Sequence, residues 1–283
     1  MRFSRVGPAG SERASVVDVD GVARYLPEAW GDIDGGFWSS RRGDGAPDLA
    51  AAISLTDVAS STERLGPPLA RPGKVVCVGL NYRDHARETG ATIPTEPILF
   101  MKAPSCVVGP FDDVLIPRGS VKTDWEVELG VVIGARARYL DSPADAAAVI
   151  GGYCLSHDVS EREFQLERGG QWDKGKSCET FNPLGPYLVT PDEVGDVQAL
   201  AMRLSVNGVV RQDGTTGDMI FPVDYLVWYI SQFMVLEPGD LINTGTPAGV
   251  SMGHDDVAYL VAGDVVELSI EGLGSQRSQL VPA

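Results

Sequence analysis

Hydrophobic and polar positions alternate with a period of two over many short stretches of the chain, the repeat of half-buried strands, while helical spacing is rarer. Residues 15–19 and 22–26 flank Asp20-Gly21, a dipeptide that favours the tight turn between antiparallel strands, so the chain is expected to open with a β-hairpin. Residues 31–73 are rich in Gly, Ser and Pro and end in Pro67, Pro68 and Pro72. This loop-rich connection sets a domain boundary, with a small N-terminal domain over 1–70 and a larger one over 71–283. Residues 74–80 form an apolar run of strand length, after which Asn81 is the expected cap of a short helix ending before Gly90. Further strands are expected at 114–116, 125–133, 204–211 around an Asn207-Gly208 turn, 241–244 and 265–270.

Two more helices carry end signals. One has Ser142 as cap, Pro143 at the first helical position, Asp145 in the first turn and Gly151 past the end. The other starts near Pro222, spaces Leu226, Tyr229, Ile230 and Phe233 helically, and stops before the Glu237-Pro238-Gly239-Asp240 turn. The pattern is that of an α+β, β-rich protein with peripheral helices. It lacks the strand–helix alternation of a doubly wound sheet, a GxGxxG after a strand and a GxxxxGK[ST], which removes nucleotide cofactors.

Composition narrows this further. With 43% hydrophobic and 22% charged residues the chain is globular rather than disordered. A net charge of -16, with no clustered Lys or Arg, argues against nucleic acid and anionic membranes as partners. The same charge repels a small anion at long range, so a site for one must reverse the sign locally with a metal, a Lys or an Arg. Residues 1–16 contain no apolar leader core and no run approaches the ~18 residues of a membrane span, so a cytoplasmic location is expected. Cys77, Cys106, Cys154 and Cys178 lie far apart with no CxxC pair and read as free, buried thiols.

The candidate chemistry lies in carboxylates. In the segment from Asp124 to Ile133, Glu126 and Glu128 share one strand face, and Trp125, Val127 and Leu129 share the other. Two solvated glutamates on a half-exposed strand would give the same spacing. Yet residues 131–133 continue the strand without polar relief, so two like charges there would repel unless a cation neutralises them. Asp158 ends a largely apolar stretch in the same way and is the candidate third ligand. Three carboxylates are hard oxygen donors that select Mg, Mn or Ca over zinc and leave coordination positions open for substrate and water.

Five segments stand in one family's order and at compatible intervals: Gly79-Leu80-Asn81-Tyr82-Arg83-Asp84-His85, Glu126-Val127-Glu128-Leu129, Asp158-Val159-Ser160-Glu161-Arg162, Lys176-Ser177-Cys178-Glu179-Thr180-Phe181 and Thr244-Gly245-Thr246-Pro247. On them the chain resembles the fumarylacetoacetate hydrolase family from Lys74 to the C-terminus. The resemblance implies a mixed β-roll, a homodimer, and one divalent cation, Mg2+ first and Mn2+ or Ca2+ otherwise, on Glu126, Glu128 and Asp158. His85 and Glu88, three apart on the short helix, share a face as a base and its orienting carboxylate must, and the resemblance assigns them that role. It favours Lys176 over Lys174 for stabilising developing negative charge. Thr246, with a hydroxyl and a main-chain N–H in a turn, and Arg162 and Gln165, one turn apart, are the expected substrate-binding residues. His157, expected to face away from Asp158, and His254, in a loop, are left without a role. The stretch after Pro247 departs from the family at Ser251, where relatives more often carry Gly.

Hydrolytic carbon–carbon cleavage expels a carbanion, tolerable only as an enolate, and a 2-oxo acid provides one. The expected reaction is cleavage of a 2,4-dioxo acid to pyruvate and a second acid. Residues 122–133, 167–172 and 270–274 are similar to the subgroup acting on 2,4-dioxo-3-deoxy sugar acids, often labelled ureidoglycolate lyase. Ureidoglycolate cleavage, isomerisation or decarboxylation of a 2-oxo acid, and a metal-stabilised binding protein without turnover are the alternatives.

Overall fold

The computed structural model of the chain describes residues 1–17, 21–40, 63–254 and 256–283. A ten-stranded mixed sheet runs in the order Ala23–Tyr25, Arg13–Val17, Arg2–Val6, Leu188–Val189, Ile150–His157, Val127–Ile133, Leu241–Asn243, Val75–Gly79 and Ile98–Lys102, with Leu65–Gly66 pairing off Arg2–Val6. A five-stranded sheet follows the order Val209–Thr215, Ala201–Val206, Val265–Ile270, Gly274–Pro282 and Val114–Ile116. The architecture is the expected β-rich one.

The strand Val127–Ile133 shows why the fold holds. Val127, Leu129, Val131 and Ile133 enter one large core shared with Leu204, Leu268, Leu226 and Ile230, whereas Val132 enters a second core with Phe3, Phe37, Cys77 and Cys154. Apolar side chains on both faces make this a central strand, each contributing about 1.5–3 kcal/mol by burial. Glu126 and Glu128 have the parity of Val132, so they lie at the end of the second core's face, where apolar filling gives way to a polar pocket.

At the N-terminus the expected hairpin pairs Arg13–Val17 with Ala23–Tyr25; residues 18–20 of its turn, Asp20 among them, lie outside the described residues. The chain opens one strand earlier than expected. Arg2–Val6 hides its strand character because Arg5 is buried, its guanidinium held by Asp32 and Glu12. Residues Arg2 and Phe3 pair with Val189 and Leu188, so main-chain hydrogen bonds tie this segment into the large sheet. Part of the loop-rich stretch, residues 41–62, falls outside the described residues.

Three local expectations are corrected. The short helix is Arg83–Glu88, and its N-cap is Tyr82 without a side-chain cap bond. Asn81 serves a longer-range purpose: its amide donates to the Phe221 and Thr244 carbonyls at 3.1 and 2.8 Å and accepts from Phe221 N–H at 2.9 Å. The Ser142–Asp145 capping box forms, but it opens a 3₁₀ helix, Pro143–Ala148, and Gly151 lies inside the next strand. Four alanines and little apolar surface give that segment too little burial to extend an α-helix. The helix Val223–Ser231 buries Leu226 and Ile230 and ends before Phe233, which is exposed. Asn207 and Gly208, both at positive φ, form the expected turn between Ala201–Val206 and Val209–Thr215. The four cysteines are free thiols, three buried and Cys178 half-buried.

Candidate active site

Two antiparallel strands create the carboxylate cluster. Glu128 pairs with Ser156, and one step beyond the ladder the Asp158 N–H donates to the Glu126 carbonyl at 3.0 Å. That register sets Glu126 and Asp158 side by side, with Glu128 two residues away on the same face. One oxygen from each of Glu126, Glu128 and Asp158 lies within 4.8 Å of the others, and all three residues are buried. The expected ligands are therefore brought together.

Cations surround part of this cluster. Lys176 Nζ donates to Glu126 Oε2 at 2.8 Å and to Asp158 Oδ2 at 2.9 Å. Arg162 Nη1 pairs with Glu126 Oε1 at 2.7 Å, while its Nε donates to Asp124 Oδ2 at 2.8 Å. Lys102, fully buried, donates to Asp158 Oδ1 and to the carbonyls of Val159 and Phe181. Lys174 instead faces solvent and caps the Arg168 carbonyl, which separates the two lysines as expected.

The charges divide the cluster unequally. Burial opposes the charge of Glu126, but Lys176 and Arg162 outweigh it and hold the carboxyl below its ordinary range. Burial pushes Glu128 well above its ordinary value, and the neighbouring Asp158 and Glu126 carboxylates add to that rise. Burial also opposes the Lys176 ammonium, yet Asp158 and Glu126 keep it above the ordinary lysine value. Four buried carboxylates, Asp124, Glu126, Glu128 and Asp158, thus face three buried cations, Lys102, Arg162 and Lys176. No ion pair among the described residues includes Glu128, whose Oε2 accepts the Gly245 N–H at 2.8 Å. Three hard oxygen donors within 4.8 Å of one another, one of them a carboxyl paired to no cation among the described residues, fit a divalent cation.

Across the pocket stands the short helix. His85 Nδ1 and Glu88 Oε2 are 3.1 Å apart, with both side chains largely buried. Since an ionised carboxylate only accepts, Nδ1 is the donor of this pair, and in the neutral imidazole the lone pair then lies on Nε2. The pocket is lined by His85, Glu126, Glu128, Arg162, Gln165, Lys176 and Thr246, with Phe100, Leu166, Trp172 and Met252 as apolar walls. Arg162 and Gln165 are buried and joined at 3.2 Å rather than forming a surface pair. Thr246 lines the pocket, but its hydroxyl donates to the Val127 carbonyl at 2.9 Å and accepts from Gln212 at 2.8 Å. Its hydroxyl proton is thus engaged by the protein itself.

Four residues join the site beyond those the sequence marks: Lys102, Asp124, Gln212 and His254. Asp124 carried a signal, since it has the parity of Glu126 and Glu128. Lys102 ends an apolar run, Ile98–Lys102, as Asp158 ends another. His254 Nε2 lies 2.7 Å from Glu88 Oε1, a contact across 166 residues that no local pattern announces. His157 faces away from Asp158 as expected, sharing a strand face with Leu155; both ring nitrogens are unpartnered among the described residues and burial pushes its pKa down to about 3.

The β-rich fold presents Glu126, Glu128 and His85 to one pocket, with Asp158 beside the two glutamates and Glu88 paired to His85. Residues 74–281 match the family model described as Fumarylacetoacetate (FAA) hydrolase C-terminal. A 2,4-didehydro-3-deoxy-L-rhamnonate hydrolase of Sphingomonas sp. is 47% identical over 281 residues, covering 99% of this chain and 96% of that protein. Among solved structures, a fumarylacetoacetate hydrolase of Exiguobacterium antarcticum superposes with a TM-score of 0.86 at 34% identity over 100% of both chains. A 2-hydroxyhepta-2,4-diene-1,7-dioate isomerase of Mycobacterium marinum gives 0.75 at 33%, covering 100% of this chain and 98% of its own. The chain belongs to the fumarylacetoacetate hydrolase family and is an enzyme acting on carbon–carbon bonds.

Proposed function

We propose that the chain is a metal-dependent hydrolase that cleaves a 2,4-dioxo acid, of the 3-deoxy sugar acid type, to pyruvate and a second acid. The observation that carries this reading is the His85–Glu88 pair, whose imidazole shares the pocket with Glu126 and Glu128, because hydrolysis requires a base that positions and activates water, whereas isomerisation and decarboxylation need no positioned water. The 47% identical rhamnonate hydrolase supports the same substrate class.

Glu126, Glu128 and Asp158 would hold the cation, Mg2+ foremost, which supplies Lewis-acid polarisation of a 2-oxo carboxylate. Arg162 and Gln165, with the Thr246 main chain, hold the substrate carboxylate end. His85 Nε2 takes a proton from water as the water oxygen bonds to the 4-oxo carbon, and Glu88 steadies the resulting imidazolium. Lys176 stabilises the oxyanion formed there. The C3–C4 bond then breaks, its electron pair passes to C3 as pyruvate enolate, and the proton on His85 returns to C3. The remaining half leaves as a carboxylic acid, so water is consumed and nothing is oxidised.

The solved isomerase at 33% identity favours a second reading, in which the same cluster isomerises a 2-oxo acid without adding water. Incubation with 2,4-dioxo-3-deoxy sugar acids and Mg2+, with coupled detection of pyruvate, separates the two. Pyruvate release that EDTA abolishes supports the hydrolase; isomerised product without pyruvate sinks it. A homodimer belongs to the same proposal and is checked by sedimentation.

A further inference from the structure

Glu88 is held from two sides. Its Oε2 faces His85, while its Oε1 accepts the Gly249 N–H at 2.7 Å and faces His254 Nε2 at 2.7 Å. The side chain is only 9% exposed. His254 belongs to residues 248–254, a strap whose Met252 lines the pocket. Asp84 of the short helix accepts the Ala248 N–H at 3.2 Å, and Asp124, on the opposite side, accepts from Ser251 and Met252 at 2.8 and 3.1 Å. A Cβ on Gly253 would lie 2.5 Å from Glu88 Cγ, so the strap's backbone packs directly on the Glu88 stem. Met252 lines the pocket between these anchors.

We infer that His254 is a positioning residue for the His85–Glu88 pair, fixing the Glu88 carboxylate by donating from Nε2 to Oε1 so that Oε2 stays aligned on His85 Nδ1. Without it the Gly249 N–H is the one hydrogen bond left on Oε1 among the described residues, and the carboxylate's other polar contact is the His85 one that it has to align. His254 is half exposed, does not line the pocket and pairs with Glu88 rather than with the carboxylate cluster, so it acts through Glu88. The catalytic consequence rests on the reading of His85 as the base; the structural coupling does not.

The test compares His254→Ala with His254→Gln, whose amide nitrogen takes the place of Nε2 as donor. The readouts are kcat and KM on a 2,4-dioxo acid with Mg2+, and the NMR signal of the His85 Nδ1 proton, assignable because the chain has 3 histidines. In His254→Ala, kcat falls roughly tenfold with KM nearly unchanged, as for a misplaced catalytic group. The His85 Nδ1 proton, slow to exchange in the parent, broadens. His254→Gln restores both. An unchanged proton signal in His254→Ala, a loss confined to KM, or a Gln variant as defective as the Ala variant overturns the inference. If His85→Ala leaves hydrolysis intact, the base assignment fails, and the proton signal alone still decides whether His254 orders the pair.

Discussion

The Lys176 ammonium lies 2.8 Å from Glu126 Oε2, with both side chains almost fully buried and Asp158 completing a three-membered contact. A desolvated ion pair adds little net stability relative to an apolar pair, but removing one partner strands the other's charge. Lys176→Met therefore leaves Glu126 and Asp158 under-compensated. Folding stability should fall by about 3 kcal/mol in chelator, and kcat should fall about 10²-fold or more. Denaturant unfolding and pyruvate release check the two; activity within tenfold of the parent removes Lys176 from the mechanism.

Gly175 explains how Lys176 reaches the cluster. A Cβ there would stand 2.2 Å from the Glu161 carbonyl and 2.6 Å from Gln165 N, so the short helix Asp173–Lys176 docks only because position 175 has no side chain. Gly175→Ala must push that helix away and carry Lys176 with it. Overpacking of this kind costs about 1–3 kcal/mol, and the activity loss should approach that of Lys176→Met. A stable, fully active Ala variant would show that the helix has room to spare.

How much of this was legible in the sequence follows from the range of each interaction. The Glu126–Glu128 face was readable because a strand repeats every two residues, and the His85–Glu88 pair because a helix brings i and i+3 together. Asp158 could be marked as a charge ending an apolar run, but its position beside Glu126 depends on the register of two strands, which no local pattern encodes. The pairing of Lys102 with Asp158, 56 residues away, and of His254 with Glu88, 166 away, is likewise encoded by no local pattern. Asn81 misled because a residue suited to capping a helix locally is used to tie Phe221 and Thr244 together over 140 and 163 residues. The strand Arg2–Val6 escaped because its buried arginine reads as solvent-facing until Asp32 and Glu12 are seen around it.

Acid should loosen the short helix from the strap. Burial raises the pKa of Glu88, but bonds from His85, Gly249 and His254 outweigh burial and bring it below its ordinary value of about 4.5. A carboxyl lowered on folding adds stability above its unfolded value and loses it as pH falls through its folded value. The stability difference between the parent and Glu88→Gln should shrink as pH falls below about 4.5. Urea unfolding at a series of pH values measures it; a difference that stays flat into strong acid would contradict the bonding around Glu88.

Glu128 makes the sharpest test of the cation. Without metal its charge is disfavoured by burial and by Asp158 and Glu126 beside it, so Glu128→Gln removes a repulsion while its amide oxygen still accepts the Gly245 N–H. In chelator the variant should be as stable as the parent or more so, by about 1 kcal/mol. A cation that binds only the folded chain stabilises the parent by about 2.7 kcal/mol at a hundred times its dissociation constant. That increment should vanish in the variant, so adding Mg2+ or Mn2+ reverses the order of stability. The reversal distinguishes a ligand from a carboxyl that is merely buried: a structural glutamate would lower stability with and without metal alike. Thermal unfolding of both proteins in chelator and in excess metal reads the sign directly, and a parent indifferent to both ions would remove the metal from the proposed mechanism.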